Sequence, residues 1–204
     1  MPKDKSATRA RIMPAAKKEF LDKGFEKASM RSIAASAGMT SAGLYRHFED
    51  KEAMFAALVQ PAVDAIKDMA DIQTKQAYRY IDEGNLDAMW IGDTDLSRLI
   101  NIVYEHFDAF RLMLRSSSGT RFEHIFDEFI EMEQAETLRY MDALRGRGIH
   151  VNDIVPEELH LLLNAYYSAF FEIVIHEFPK EDALHYLETL KKFFYPGWRA
   201  FLGF

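Results

Sequence analysis

The residues whose types and spacing suit recognition chemistry crowd between positions 40 and 51: Thr40, Ser41, Ala42, Gly43, Tyr45, Arg46, His47 and Lys51. Hydroxyls, a phenol and cations in so short a run suit hydrogen bonds to phosphate oxygens and base edges, not bond-breaking chemistry. At about 100° per residue, a helix here places Thr40, Leu44 and Phe48 on one side and Ala42 and Arg46 opposite, flanked by Gly43 and Tyr45. The first set anchors and the second faces outward. An outward side that is small except for one cation lets the backbone approach a groove floor, with Arg46 able to pair bidentately with a guanine edge. Tyr45 and the hydroxyls of Thr40 and Ser41 suit phosphate oxygens, which fix register without reading sequence. His47 lies between the two faces.

Three short helices are expected to position this run. Ile12, Ala15, Ala16 and Phe20 recur at helical spacing and end at Gly24, which suits the left-handed position past a helix end. Ser29 caps a second helix whose apolar side is Met30, Ile33, Ala34 and Ala37, closed by Gly38. Thr40 caps a third, expected over 41–48, so two helices meet across a short glycine-containing turn: a helix-turn-helix signature. Asp50 caps the next helix and leaves Lys51 in its first turn, where the macrodipole disfavours a cation. A bound phosphate would reverse that penalty; a solvated lysine is the plainer reading. Pro14 falls inside the first helix and removes the hydrogen bond to the Ala10 carbonyl, so either the helix kinks there or it starts near Met13 behind a mobile basic arm.

Charge divides along the same line. Residues 1–51 hold 11 Lys and Arg against 6 Asp and Glu; taken from totals of 25 and 32, this leaves 14 against 26 for residues 52–204. A basic segment ahead of a strongly acidic body suggests that the first meets a polyanion. We therefore expect a DNA-binding domain over 1–51 and a second domain over 52–204.

Ile12, Ala15-Ala16, Phe20, Gly24-Phe25, Ser29, Ile33-Ala34, Ala37-Gly38-Met39-Thr40, Leu44-Tyr45-Arg46-His47-Phe48 and Lys51 together resemble the N-terminal DNA-binding region of TetR-family transcriptional regulators, over residues 8–58. The resemblance implies an all-α homodimeric repressor with a three-helix reading head, a connecting fourth helix and a larger helical domain for effector binding and dimerisation. It also implies that Ser29, Arg31, Thr40, Ser41, Ala42, Tyr45, Arg46, His47 and Lys51 lie at or near double-stranded DNA.

Beyond residue 51, helical patterning continues through Met54, Phe55, Leu58 and Val59, with a break or kink at Pro61 before a stretch from 62 to about 82. Further helices are expected over 95–115, 121–145, 156–178 and 180 to about 204. Few glycines and prolines, 10 and 6, argue against a many-stranded fold. Tyr104, Phe107, Phe110, Phe122, Phe126 and Phe129 either fill an ordinary core or line an effector cavity. The family resemblance, with Met113, Tyr166 and Phe170, favours a cavity for an apolar or aromatic small molecule. His160, Asn164, Ser168, Glu172 and His176 stand four apart as one polar row, read as a solvated seam or as a polar lining for a ligand or partner helix. Beside it Ala165 and Ala169 permit close approach, and Leu184, Leu187, Leu190, Phe194, Trp198 and Phe201 add apolar surface. A homodimer through the last two helices, on a palindromic operator, is the expectation.

Several functions are excluded or weakened. Without cysteine there is no thiol catalysis, disulfide framework or cysteine-ligated metal. The N-terminus has no apolar signal core, and the most apolar stretch, 159–175, is broken by polar residues, so a cytoplasmic protein with no membrane partner is expected. The strongest enzymatic rival is a di-iron helical bundle using Glu157-x-x-His160 and Asp182-x-x-His185. Each pair follows a proline in the first turns of a helix, where acidic residues are favoured without metal. A protein-binding adaptor that has lost DNA recognition is a third reading, opposed by Tyr45, Arg46 and Lys51. No catalytic triad, phosphate-cradling loop or zinc motif is visible, so neither enzyme activity nor a cofactor is expected.

Overall fold

The computed structural model describes residues 5–91 and 95–203, and every regular element among them is helical. The helices are α1 (Lys5–Lys27), α2 (Met30–Ser36), α3 (Ser41–Leu44), α4 (Lys51–Asp82), α5 (Asp95–Glu105), α6 (Phe107–Arg115), α7 (Ile125–Gly146), α8 (Pro156–Ile175) and α9 (Lys180–Leu202), with a short 3-10 turn at Leu86–Met89. The all-α expectation is met. The last helix, expected to run to about Phe204, ends at Leu202, where Gly203 takes a left-handed φ of 94°.

The chain forms two compact units: residues 1–64 with 106–125, and residues 65–105 with 126–204. The packing units thus group residues otherwise than the cut at residue 51 does, because the segment around α6 packs against α1.

In the first unit, Ile12, Ala16 and Phe20 of α1 are fully buried with Ile33, Leu44 and Phe55. Phe20 meets Phe55 edge-on at 5.2 Å, and Phe122 approaches Phe55 at 6.1 Å. The Phe25 N–H donates to the Ser116 carbonyl at 3.0 Å, fastening the turn after α6 to the end of α1.

The start of α1 near Met13 is overturned: the helix extends back to Lys5, and its one non-helical residue is Gly24, at φ 74°. Pro14 and Ala10 are both exposed, so water can take the carbonyl that the missing N–H would have engaged. Gly24 does turn the chain where expected, since only glycine adopts that φ without a side-chain clash. Pro61 likewise sits on the solvent side of an uninterrupted α4. The helix expected over 95–115 is two, parted at His106, where φ −118° and ψ 32° leave the helical region. The helix expected from 121 begins at Ile125, and the one expected to reach 178 ends at Ile175 before Glu177 at positive φ.

In the second unit α5 and α8 each pack on α9. A cluster of Ile81, Tyr140, Met141, Leu144, Val151 and Leu202 forms part of its core, with Trp198 and Phe201 against it.

Candidate nucleic-acid interface and effector cavity

The head positions its reading element through capping. The Ser29 hydroxyl accepts from the Ser32 N–H at 3.5 Å, the Thr40 Oγ1 from the Gly43 N–H at 3.1 Å, and the Asp50 carboxylate from the Ala53 N–H at 2.6 Å. Each satisfies one of the amides that a helix start leaves without an internal partner. Ser29, Thr40 and Asp50 are thus the caps that the residue types predicted.

Helix α3 is shorter than expected. Regular helix stops at Leu44, and residues 45–47 continue as a turn. Leu44 and Phe48 are buried, as anchors should be, while Thr40 is exposed at the cap. Ala42, Tyr45 and Arg46 are exposed, and Ser41 and His47 are half-buried. Gly43 departs from the outward face: it is buried, and a Cβ there would meet Thr40 Oγ1 at 3.3 Å and the Met39 methyl at 3.4 Å. Its place in the sequence is set by close approach to its own cap.

One hollow on this surface is lined by Thr8 and Arg11 of α1 together with Gly38, Met39, Thr40, Gly43, Arg46 and His47. It brings the Arg11 and Arg46 side chains to one concavity. Arg11 was legible only as part of a basic N-terminal run. Arg9 instead lies over the Phe48 ring at 5.0 Å. Ser29 and Arg31 are exposed on and before α2.

Lys51 matches neither simple reading of its ammonium. Its Nζ donates to the Glu26 carbonyl at 3.0 Å and the Ala28 carbonyl at 3.3 Å, and it lies over the Phe25 ring at 4.4 Å. A cation is favoured at carbonyls closing a helical turn and over an aromatic face, which offsets its poor position in the first turn of α4. Lys51 therefore ties the start of α4 to the end of α1.

Glu19 was not singled out by the sequence and is the other tie. It is buried, and its carboxylate accepts from the Ser29 N–H at 3.1 Å, the Ser32 hydroxyl at 2.9 Å and Lys23 at 2.7 Å. Burial by itself raises its pKa, but those three hydrogen bonds outweigh burial and hold the carboxyl below the ordinary value. A buried acid thus orients the start of α2. The hint in the sequence was an acidic residue on an otherwise apolar helix face beside Phe20.

The nine aromatic and methionine positions expected around an effector are not brought together. Phe107, Phe110, Met113 and Phe122 fall in the first unit, where Phe110, Met113 and Phe122 are buried in packing. In the second unit Phe126 packs on Phe171 at 4.6 Å, Phe129 on Tyr167 at 4.8 Å, and Phe170 is buried against Phe171. The Tyr104 hydroxyl donates to the Phe178 carbonyl at 2.6 Å. Tyr166 lines a cavity of about 140 Å³ within the second unit. Its walls include Met69, Trp90, Leu99, Leu163 and Trp198, and Gln73 and Thr137 also reach it. A neighbouring cavity of about 130 Å³ shares Gln73, Met89, Thr137 and Leu202 with the first. Aromatic density along the sequence marked core packing, whereas the cavity draws on residues from five separate stretches of chain.

Along and just past α8 the polar row forms a ladder open to water in the single chain. Asn164, Ser168 and His176 are exposed, Ser168 donates to Asn164 at 3.2 Å, and His176 lies 3.0 Å from Glu172. His160 faces the Gln134 amide oxygen at 3.2 Å. Beside the ladder Leu161 is 66% exposed, and on α9 Phe193 is 76% exposed. Leu187 and Leu190, expected on the same apolar surface, are buried within the unit. Among the described residues no group of three or more acidic or histidine side chains is placed to hold a metal, and no helix is long and apolar enough to cross a membrane.

Residues 12–58 match the family model for bacterial regulatory proteins of the tetR family. A helix-turn-helix transcriptional regulator of Haemophilus influenzae is 29% identical over 138 residues, 62% of this chain and 63% of that protein. One from Staphylococcus aureus is 25% identical over 89% of this chain and its own full length. The crystal structure of a TetR-like regulator from Rhodococcus superposes with a TM-score of 0.55 at 19% identity, covering 95% of this chain and 94% of that one, and so shares the fold. Residues 12–58 thus carry the DNA-binding region of tetR-family regulatory proteins, and the chain as a whole is similar to helix-turn-helix transcriptional regulators.

Proposed function

We propose that the protein is a ligand-responsive repressor that binds a palindromic operator as a homodimer, with residues 1–51 as reading head and 52–204 serving effector binding and dimerisation. The observation that carries the reading is the Thr40-capped α3, with Ala42, Tyr45 and Arg46 exposed over a buried Leu44 and Phe48. Arg46 reads a base edge; Thr40, Ser41 and Tyr45 hold phosphates, with Ser29, Arg31, His47 and Gly43 at or near the duplex. Lys51 acts by fixing the position of α4, with any phosphate contact secondary to its carbonyl bonds. Two heads of a dimer reach successive major grooves about 34 to 36 Å apart. Exposed Leu161 and Leu162 on α8 and Leu184 and Phe193 on α9 support the dimer surface, since they are large apolar groups left in water by a single chain. A small apolar or aromatic effector enters the cavity at Tyr166 and favours a conformation with lower operator affinity.

Selection from a random pool of duplexes tests the reading. Recovery of a two-fold-symmetric site, with affinity falling steeply as salt rises, is expected. Absence of any enriched sequence in dilute buffer overturns it.

A further inference from the structure

The cavity in the second unit has a chemical character more specific than greasiness. Gln73 stands one turn beyond Met69 on the same face of α4, and both line the cavity. The Gln73 Nε2 is enclosed and has no hydrogen-bond partner among the described residues. A buried amide donor left unmade is costly, so an acceptor at this position is favoured. None of the described residues lining this cavity is charged. A buried anionic ligand would therefore lack a counter-charge, and would also face Glu133 and Glu136 of the neighbouring cavity, which costs far more than a missing hydrogen bond. The remaining walls are largely aromatic and aliphatic, and a volume of about 140 Å³ matches one benzene-sized ring.

We propose that Gln73 is the polar determinant of an effector site selecting uncharged, single-ring molecules that carry one hydrogen-bond acceptor, such as an aryl ketone, aldehyde or ether. The acceptor oxygen takes the Gln73 N–H, and the ring lies among Trp90, Leu163, Tyr166 and Trp198. The partition toward the neighbouring cavity includes Met89, whose sulfur accepts from the Tyr140 hydroxyl at 2.9 Å. Methionine adapts readily to its surroundings, so displacement of Met89 lets a larger substituent extend into the adjoining space. This assignment rests on the reading of the protein as ligand-responsive.

The chain's two tryptophans, Trp90 and Trp198, both line the cavity and give a direct signal. The full-length protein is titrated with acetophenone, toluene and benzoate while tryptophan emission is followed. Saturable binding of acetophenone is expected, with toluene weaker by about tenfold and benzoate silent over the same range. Gln73→Leu should weaken acetophenone about tenfold and leave toluene unchanged; Gln73→Asn, which keeps the amide on a shorter stem, should recover part of the loss. Benzoate binding as well as acetophenone, an equal loss of both neutral rings in Gln73→Leu, or no saturable response to any neutral ring overturns the proposal. Operator binding measured on the same samples separates the two readings. Retained DNA binding with no ring binding sinks only the cavity assignment, whereas ring binding that never alters DNA affinity sinks the effector role and leaves the site intact.

Discussion

Between Gly38 and Phe48, the side chains proposed to meet DNA stand in water on and just past a one-turn helix, held by a cap above and two buried anchors below. In the cavity of the second unit the order is reversed: the polar group is hidden among rings, and its supports come from elements far apart in the chain. The first arrangement depends on neighbours a few residues away, so local substitutions should act on it one interaction at a time. The second depends on long-range packing, and a change in any wall is felt by the whole space.

The largest effect that would sharpen this contrast is expected from Phe20→Ala. Phe20 is fully buried among Phe25 and Phe55, and its truncation should cost about 3 to 5 kcal/mol. Denaturation followed by circular dichroism should show an early transition with loss of DNA binding, while acetophenone still quenches the tryptophans. Simultaneous loss of ring binding would break the comparison. Next comes Arg46→Ala, expected to lose about 1 to 3 kcal/mol of discrimination between selected and random duplexes in competition binding, with little change in melting temperature. Thr40→Ala should lower stability by about 1 kcal/mol and weaken specific and random DNA alike, because it removes a cap.

Glu19→Gln gives the most diagnostic pH dependence, with its loss of stability complete at neutral pH and shrinking in acid. The folded carboxyl titrates below its unfolded value, so its stabilising contribution is complete above the ordinary value near 4.5 and is lost as pH falls through the lowered one. Urea midpoints measured from neutrality to about pH 3 should fall in the native chain and fall less in the variant. Parallel curves would remove Glu19 from the account.

The legibility of the chain followed the same division. Ser29, Thr40 and Asp50 could be read as caps because a capping side chain bonds amides two or three residues away, and Leu44 and Phe48 could be read as anchors from helical spacing alone. Proline misled: Pro14 and Pro61 suggest breaks, yet on an exposed face the released carbonyl finds water and the helix continues. Lys51 and Glu19 were illegible in role because their partners lie 25 and 10 to 13 residues away. The packing of the aromatic positions was illegible for a related reason. A run of phenylalanines reports that a region is apolar but not which rings interlock, and Phe126 and Phe129 pack on rings of α8.

Gly43 sets a boundary on redesign. An added methyl would press on Thr40 Oγ1, which holds the Gly43 amide and must shift by a few tenths of an ångström to admit it, although Met39 could swing aside. A redesign of this surface therefore has Ala42, Tyr45 and Arg46 as its exposed side chains, with the buried position between them the least tolerant of added bulk.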